Sequence, residues 1–161
     1  MDKTTQDAMF SSKSLEWATP QHFFDQLEEA FGEFTLDPCT NDANYKVKNR
    51  FTESDDGLKQ DWSGNNVFMN PPYGRVIKHW IKKAYEEGQK DETTVIALIP
   101  ARTDTRYWHD YVMKAHSIYF VKGRLKFGNG ENSAPFPSAV IVFKKNKIQR
   151  EMPQLGVMIV K

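Results

Sequence analysis

The sequence is poor in cysteine, has no long apolar run, and lacks a glycine-rich turn after its first expected strand. Its 161 residues contain one cysteine, Cys39. That excludes an internal disulfide and a cysteine-rich zinc site, and it fits a reducing compartment. His22, His79, His109 and His116 are scattered, without the spacing of a zinc motif. No apolar stretch approaches the ~20 residues of a membrane span. Residues 1–16 are polar, carry no signal-peptide pattern, and read as a flexible tail before a single domain over residues 17–161. Repeats and low-complexity segments are absent.

What is present suffices for a core: 39% of residues are apolar, with 11 Phe, 4 Trp and 6 Tyr. The net charge of +1 hides an asymmetry. Residues 1–70 carry 6 Lys/Arg against 13 Asp/Glu, a balance of −7, and residues 71–161 carry 16 against 8, a balance of +8. A basic half suits a polyanion such as DNA, although Lys and Arg also simply solvate outer faces.

Apolar spacing and turn residues give the order of elements. Thr19 reads as a helix N-cap and Pro20 as the first helical residue. Phe23, Phe24, Leu27, Ala30 and Phe31 then share a helical face, and Gly32 ends it. Phe34-Thr35-Leu36 reads as a short strand ending at Asp37-Pro38-Cys39, and residues 49–52 as another. Val67-Phe68-Met69 is a buried strand. Val76, Ile77, Trp80, Ile81, Ala84 and Tyr85 make an amphipathic helix stopped by Gly88. The unbroken run Thr94–Ile99 marks a strand covered on both faces. A helix face at Tyr107, Trp108, Tyr111, Val112 and Ala115 follows, then strands at 118–121 and 139–143, and a last one at 156–160. Residues 123–128 resemble a basic hairpin arm, and 128–138 a loop. This alternation predicts an α/β fold: a doubly wound, mostly parallel sheet in one compact domain, with an antiparallel pair at one edge.

The chain is organised around Asn70-Pro71-Pro72-Tyr73, between the strand at 67–69 and the helix that follows. Prolines fix φ and lack an N–H, and they hold the residue before them in extended geometry. A rigid loop of this kind presents the Asn70 side-chain oxygen and the Pro71 carbonyl as acceptors, with the Tyr73 ring beside them. An aryl amine or amide nitrogen delocalises its lone pair and is a poor nucleophile. Two acceptors gripping its protons favour the pyramidal nitrogen that attacks, which is preorganisation toward a transition state. An aromatic ring alongside suits a base flipped out of a helix. The tetrapeptide resembles the Asn/Asp-Pro-Pro-Tyr/Phe motif of amino methyltransferases dependent on S-adenosylmethionine, which act on adenine N6, cytosine N4 or a glutamine amide. Pro-Pro and Pro-Tyr-Gly are also ordinary turn punctuation.

Further landmarks occur in order: Trp17-Ala18-Thr19-Pro20, Leu36-Asp37-Pro38, Asp56-Gly57-Leu58, Asp61-Trp62, Pro100-Ala101-Arg102-Thr103, Gly123-Arg124-Leu125-Lys126-Phe127 and Pro135-Phe136-Pro137-Ser138. With the central motif they resemble the small phage-type DNA N6-adenine methyltransferases, over residues 15–145. The resemblance implies a Rossmann-like methyltransferase fold, S-adenosylmethionine as donor, adenine in DNA as acceptor, and the cytoplasm of a bacterial or phage-infected cell. It implies that Asn70, Pro71, Pro72 and Tyr73 bind and activate the base. Trp17, Thr19, Pro20, Asp37, Pro38 and Cys39 fall on the cofactor side, together with Asp55 or Asp56, which compete for one role. Arg102, Arg106, Arg124 and Lys126 are candidates for DNA phosphate. The turn after the first strand, Pro38-Cys39-Thr40-Asn41-Asp42, has no glycine, and Asn41 is the candidate to take left-handed geometry in its place. No separate recognition domain fits, and a homodimer is one way to make up for that. Rival readings keep the enzyme but change its acceptor, to protein glutamine or cytosine N4, or make the chain a non-catalytic DNA-binding decoy.

Overall fold

The computed structural model describes residues 17–128, 130–145 and 159–160. The 1–16 tail and residues 156–158 lie outside the described residues.

The sheet is built from β1 (Asn66–Met69), β2 (Thr94–Pro100), β3 (Ser117–Phe120), β4 (Ser138–Lys144) and β5 (Ile159–Val160). Its order is β1-β2-β4-β3-β5. β1 and β2 are parallel, and the ladders β2–β4, β3–β4 and β3–β5 are antiparallel. β1, β2 and β3 therefore run the same way, and β4 is the reversed strand threaded between β2 and β3. The expectation of a mostly parallel ladder with antiparallel pairing kept to one edge is thus corrected. A helical crossover returns β2 beside β1, but β3 leads to β4 through a loop, and β4 enters the gap from the opposite direction. Beyond β1, residues 35–37 add an irregular rim instead of a full strand. Leu36 bridges Val67 and Asp37 bridges Arg50, both in parallel. The strand expected at 49–52 is this second bridge, with Phe51 N donating to the Asp37 carbonyl at 2.8 Å.

Helices cover both faces. Register places Phe68, Ile96 and Val142 on one face, with Leu98, Val140 and Tyr119. That face receives α1 (Gln21–Phe31): Phe24 meets Phe68 at 5.1 Å between centroids, and Phe31 meets Tyr119 at 5.7 Å. The opposite face carries Phe143 and Phe120. It receives α2 (Ile77–Gly88) through Tyr85 against Phe143 at 6.2 Å, and α3 (Arg106–Asp110) through Trp108 stacked on Phe120 at 6.4 Å. Val95–Ile99 of β2 are wholly buried between these layers, as the unbroken apolar run requires.

Three local readings are corrected. Thr19 does not cap α1: Pro20 is the N-cap residue, its ring offers no acceptor, and the Thr19 hydroxyl one residue earlier is bonded to Asn70. The helix face expected to run from Tyr107 to Ala115 divides after Asp110 and resumes as a 3-10 turn at Val112–Lys114. Gly88 is not a left-handed stop but the last residue of α2, and Gln89 after it is still right-handed. Its lack of a Cβ is instead a packing requirement, since a methyl there would sit 2.7 Å from Phe143 Cβ and 2.8 Å from the Phe143 carbonyl group.

The same helix carries a group the sequence pattern hides. Glu87 is buried, accepts from Trp62 N at 3.1 Å, and pairs with Lys83 at 2.7 Å and Lys90 at 2.8 Å. It ties α2 to the turn before β1. Among the described residues no helix is long and apolar enough to cross a membrane.

Gly88→Ala is expected to force β4 away from α2 and lower stability by about 1–3 kcal/mol. The midpoint of denaturant unfolding would fall with an unchanged slope.

Candidate active site

The rim made by residues 35–37 and the end of β1 deliver Asp37 and Asn70 to the same edge of the sheet. Between them opens a cavity of about 860 Å³. Its wall includes Trp17, Thr19, Asp37, Pro38, Cys39, Asp56, Asn70, Pro71, Pro72 and Tyr73, so residues from four separate stretches of sequence meet there. Pro20 and Asp55 are not on that wall. Pro20 begins α1. Asp55 turns back, accepting from Thr52 N at 2.8 Å and Thr52 Oγ1 at 3.0 Å in a capping box. Asp56, the competitor, lines the cavity in a left-handed conformation, φ 52°.

Asn70 has its amide fully oriented. Its Nδ2 donates to the Trp17 carbonyl at 2.7 Å and to Thr19 Oγ1 at 3.1 Å. Its Oδ1 accepts from the Tyr73 hydroxyl at 2.7 Å. A carbonyl can only accept, so the Trp17 oxygen fixes which end of the amide is which. The Asn70 carbonyl also takes the Cys39 thiol as a donor at 3.5 Å. Burial pushes the Cys39 thiol well above its usual range, with the nearby Asp37 carboxyl adding to the effect. The thiol stays protonated and is a hydrogen-bond donor, not a nucleophile.

Tyr73 is buried, and burial holds its hydroxyl far above the usual phenol range, so it remains a donor to Asn70. Its ring sits in a box with Trp17 at 5.8 Å, Phe136 at 5.5 Å and Phe127 at 6.5 Å. Trp17 in turn meets Phe127 at 5.6 Å and Phe136 at 5.3 Å, and those two meet each other at 6.0 Å, so every ring touches the other three. The Trp17 indole N–H is buried there without an acceptor among the described residues.

The 123–137 segment is therefore not a projecting hairpin arm. Leu125 and Phe127 are buried, Gly128 N donates to the Ala18 carbonyl at 2.9 Å, and Ala134 N donates to the Leu125 carbonyl at 2.8 Å. Its apolar residues fold down over Tyr73. The alternation in Arg124-Leu125-Lys126-Phe127 carried this signal, two apolar side chains inward and two basic ones outward. None of the four basic candidates lines the cavity. Arg102 lies 6.0 Å from the Phe136 ring centroid, and Arg124 donates to the Ala134 carbonyl at 3.2 Å, so both brace this loop. Lys126 and Arg106 are exposed beside it and at the start of α3.

The missing glycine is replaced from elsewhere. Asn41 does not take a positive φ; its side chain closes a turn, accepting from Ala43 N at 3.0 Å and Asn44 N at 2.9 Å. Gly57 supplies the close approach instead. A Cβ on Gly57 would lie 1.9 Å from the Pro38 carbonyl oxygen and 3.2 Å from the Trp80 ring. The sequence shows Gly57 after Asp56, but the partner it must approach is revealed only by the fold.

Asp37 is buried and accepts from Cys39 N at 3.0 Å. Burial raises its pKa to about 7, against the smaller opposing pull of that N–H and of Lys46. Lys46 also lines the cavity and escaped the sequence reading. Among the described residues no three His, Cys, Asp or Glu side chains converge as metal ligands.

The model of the family described as DNA N-6-adenine-methyltransferase (Dam) matches residues 7–156. The chain belongs to this family. It is similar to the DNA N-6-adenine-methyltransferase of Haemophilus phage HP1 (strain HP1c1), 34% identical over 123 residues that cover 75% of this chain and 70% of the phage protein. It is also similar to the putative methyltransferase YfdM of Escherichia coli K12, 36% identical over 64 residues, covering 36% of this chain and 70% of that protein. As a member of the Dam family the chain is an enzyme, a DNA adenine-N6 methyltransferase, and the cavity with the Asn70 loop is its candidate active site.

A carboxyl whose folded pKa is raised binds more protons folded than unfolded. Its contribution to stability therefore declines as pH rises from near 3.9 toward about 7. Asp37→Asn is expected to stabilise the protein at pH 8 by on the order of 2–4 kcal/mol and to remove most of that pH dependence. Chemical denaturation at pH 5 and pH 8 checks both.

Proposed function

We propose that the cavity binds S-adenosylmethionine and that the Asn70 loop receives the N6 amine of an adenine flipped out of DNA. The observation that carries this is the shared wall: Asn70, Pro71, Pro72 and Tyr73 border the same space as Asp37, Pro38 and Asp56. Donor and acceptor can meet there without a second cleft.

The residues suit that cofactor. Asp37 is a buried carboxylate with a single N–H partner among the described residues, and a bound ammonium group would offset its desolvation. Asp56, Thr52, Glu53 and Ser54 give the opposite wall oxygens that suit ribose hydroxyls. The contact of Gly57 on Pro38 keeps the two walls in register. When bound, S-adenosylmethionine supplies a sulfonium methyl group for attack by the amine.

The protein's own part is to position and polarise. Asn70 Oδ1 has a second lone pair beyond the one engaged by Tyr73, and the Pro71 carbonyl accepts from no described residue. Gripped by these two oxygens, the N6 protons leave the nitrogen lone pair free to attack. Both acceptors are held by proline geometry and by the Asn70 hydrogen bonds, so little reorganisation is needed at the moment of transfer. No side chain of low pKa has to act first, since the proton departs after nitrogen becomes cationic. The base stacks against the Tyr73 ring, which requires Phe127 or Phe136 to give way, and the unpaired Trp17 N–H offers a donor to a ring nitrogen of the base. Exposed Arg106 and Lys126, with Arg124 on the loop and Arg102 beside it after β2, suit the phosphate backbone. The family supports adenine in DNA over cytosine N4 or a protein amide.

Transfer of labelled methyl from S-adenosylmethionine to unmethylated DNA, followed by nucleoside analysis, tests this reading. Label is expected in N6-methyladenine, reduced about 100- to 1000-fold in Asn70→Ala. Cofactor binding without label in any base would refute it.

A further inference from the structure

Thr19 belongs with the cofactor residues in the sequence reading, yet its hydroxyl is committed elsewhere. It is buried at 5% exposure and lies 3.1 Å from Asn70 Nδ2. The other Nδ2 proton goes to the Trp17 carbonyl at 2.7 Å. Both contacts come from one strip of chain, more than 50 residues away in sequence. Resting on the functional reading above, we propose that Thr19 is a positioning residue. With the Trp17 main-chain carbonyl it clamps the Asn70 amide so that Oδ1 faces the acceptor amine.

The clamp has a chemical consequence for position 70. Motifs of this kind take Asn or Asp, and either offers an acceptor oxygen to an amine. In this chain the two are not interchangeable. A carboxylate in the Asn70 rotamer would set an oxygen against the Trp17 carbonyl oxygen at about the 2.7 Å now spanned by an N–H···O bond. Two acceptors with no proton between them repel, and burial strengthens the repulsion. The carboxylate must rotate or shift, and the oxygen meant for the amine moves with it. An amide is therefore required by the N-terminal strip, not by the chemistry of the amine.

The clamp also explains why Trp17 and Thr19 flank Ala18 as they do. Trp17 contributes through its main-chain carbonyl and Thr19 through its side chain, while the Trp17 ring closes the box around Tyr73. One short segment thus fixes both members of the motif that face the base.

Thr19→Val keeps the shape and removes the hydroxyl, and Thr19→Ser keeps the hydroxyl. The test compares both, and Asn70→Asp, in single-turnover methyl transfer, in S-adenosylmethionine binding by calorimetry, and in hydrogen exchange of the Asn70 side-chain amide by NMR. Thr19→Val is expected to slow transfer about tenfold or more, with cofactor Kd within about twofold of wild type and faster exchange of the amide protons. Thr19→Ser is expected to recover most of the rate and the protection. Asn70→Asp is expected to lose about 100-fold in rate. Wild-type rates in Thr19→Val, or a loss confined to cofactor affinity, would overturn the positioning role; Thr19→Ser as slow as Thr19→Val would assign the effect to the methyl group. Full activity in Asn70→Asp would overturn the requirement for an amide. If wild type itself methylates no adenine while its Asn70 amide is protected and Thr19→Val is not, the functional reading fails and the clamp stands.

Discussion

The Asn70 side-chain amide is the joint on which the site depends. It is the only side chain among the described residues that hydrogen-bonds at once to the strip before α1 and to the aromatic ring three residues after it. Through Trp17 and Tyr73 the same joint reaches Phe127 and Phe136, and so the loop that precedes β4. A single amide group therefore sets the relation of three chain segments that no regular secondary structure connects. Proline stiffness confines the backbone of this loop, and the amide confines its side chain.

The opposite wall obeys a different constraint. There the difficulty is to bring two irregular turns into contact without a glycine after the rim at 35–37. The structure solves it with a left-handed Asp56 followed by Gly57, whose missing side chain admits the Pro38 carbonyl. Trp80 from α2 and Trp62 stack behind this contact, and the Trp62 N–H holds the Gly57 carbonyl at 2.9 Å. The Glu87 network anchors the Trp62 main chain. Electrostatics in α2 thus reach the cavity wall through one tryptophan. Asp37, left buried on this frame at the end of the rim, is the one carboxyl among the described residues whose environment raises its pKa to about 7.

Much of this was legible in the chain because local and global preferences agreed. The motif sat where an apolar strand met an amphipathic helix, and the buried run at 94–99 could only be a central strand. Helix faces at Phe23–Phe31 and Ile77–Tyr85 followed from spacing alone. What was not legible depended on partners distant in sequence. Thr19 looks like a helix cap until Asn70 is seen to hold its hydroxyl. Gly88 looks like a stop until Phe143 is seen against it, and Gly57 looks like loop punctuation until Pro38 arrives. Glu87 has the sequence pattern of a solvated helix face, and only the Trp62 turn makes it internal. The 123–137 loop misled for another reason: its basic residues dominate the composition, while its few apolar ones decide its position.

The placement of β4 bears on how the molecule comes into being. β4 hydrogen-bonds both β2 and β3, yet it is the last of the three in the chain, and it is the strand through which those two join one sheet. Pairing between strands distant in sequence is intrinsically slow. During synthesis, the Asn70 loop, the rim at 35–37 and α2 are made well before Phe127, Phe136 and β4 leave the ribosome. The nascent chain thus carries a complete motif without the box that surrounds Tyr73. The ring box is thus tied to the later part of the chain, so a partly made or C-terminally clipped chain would hold the Asn70 motif without the rings that enclose Tyr73.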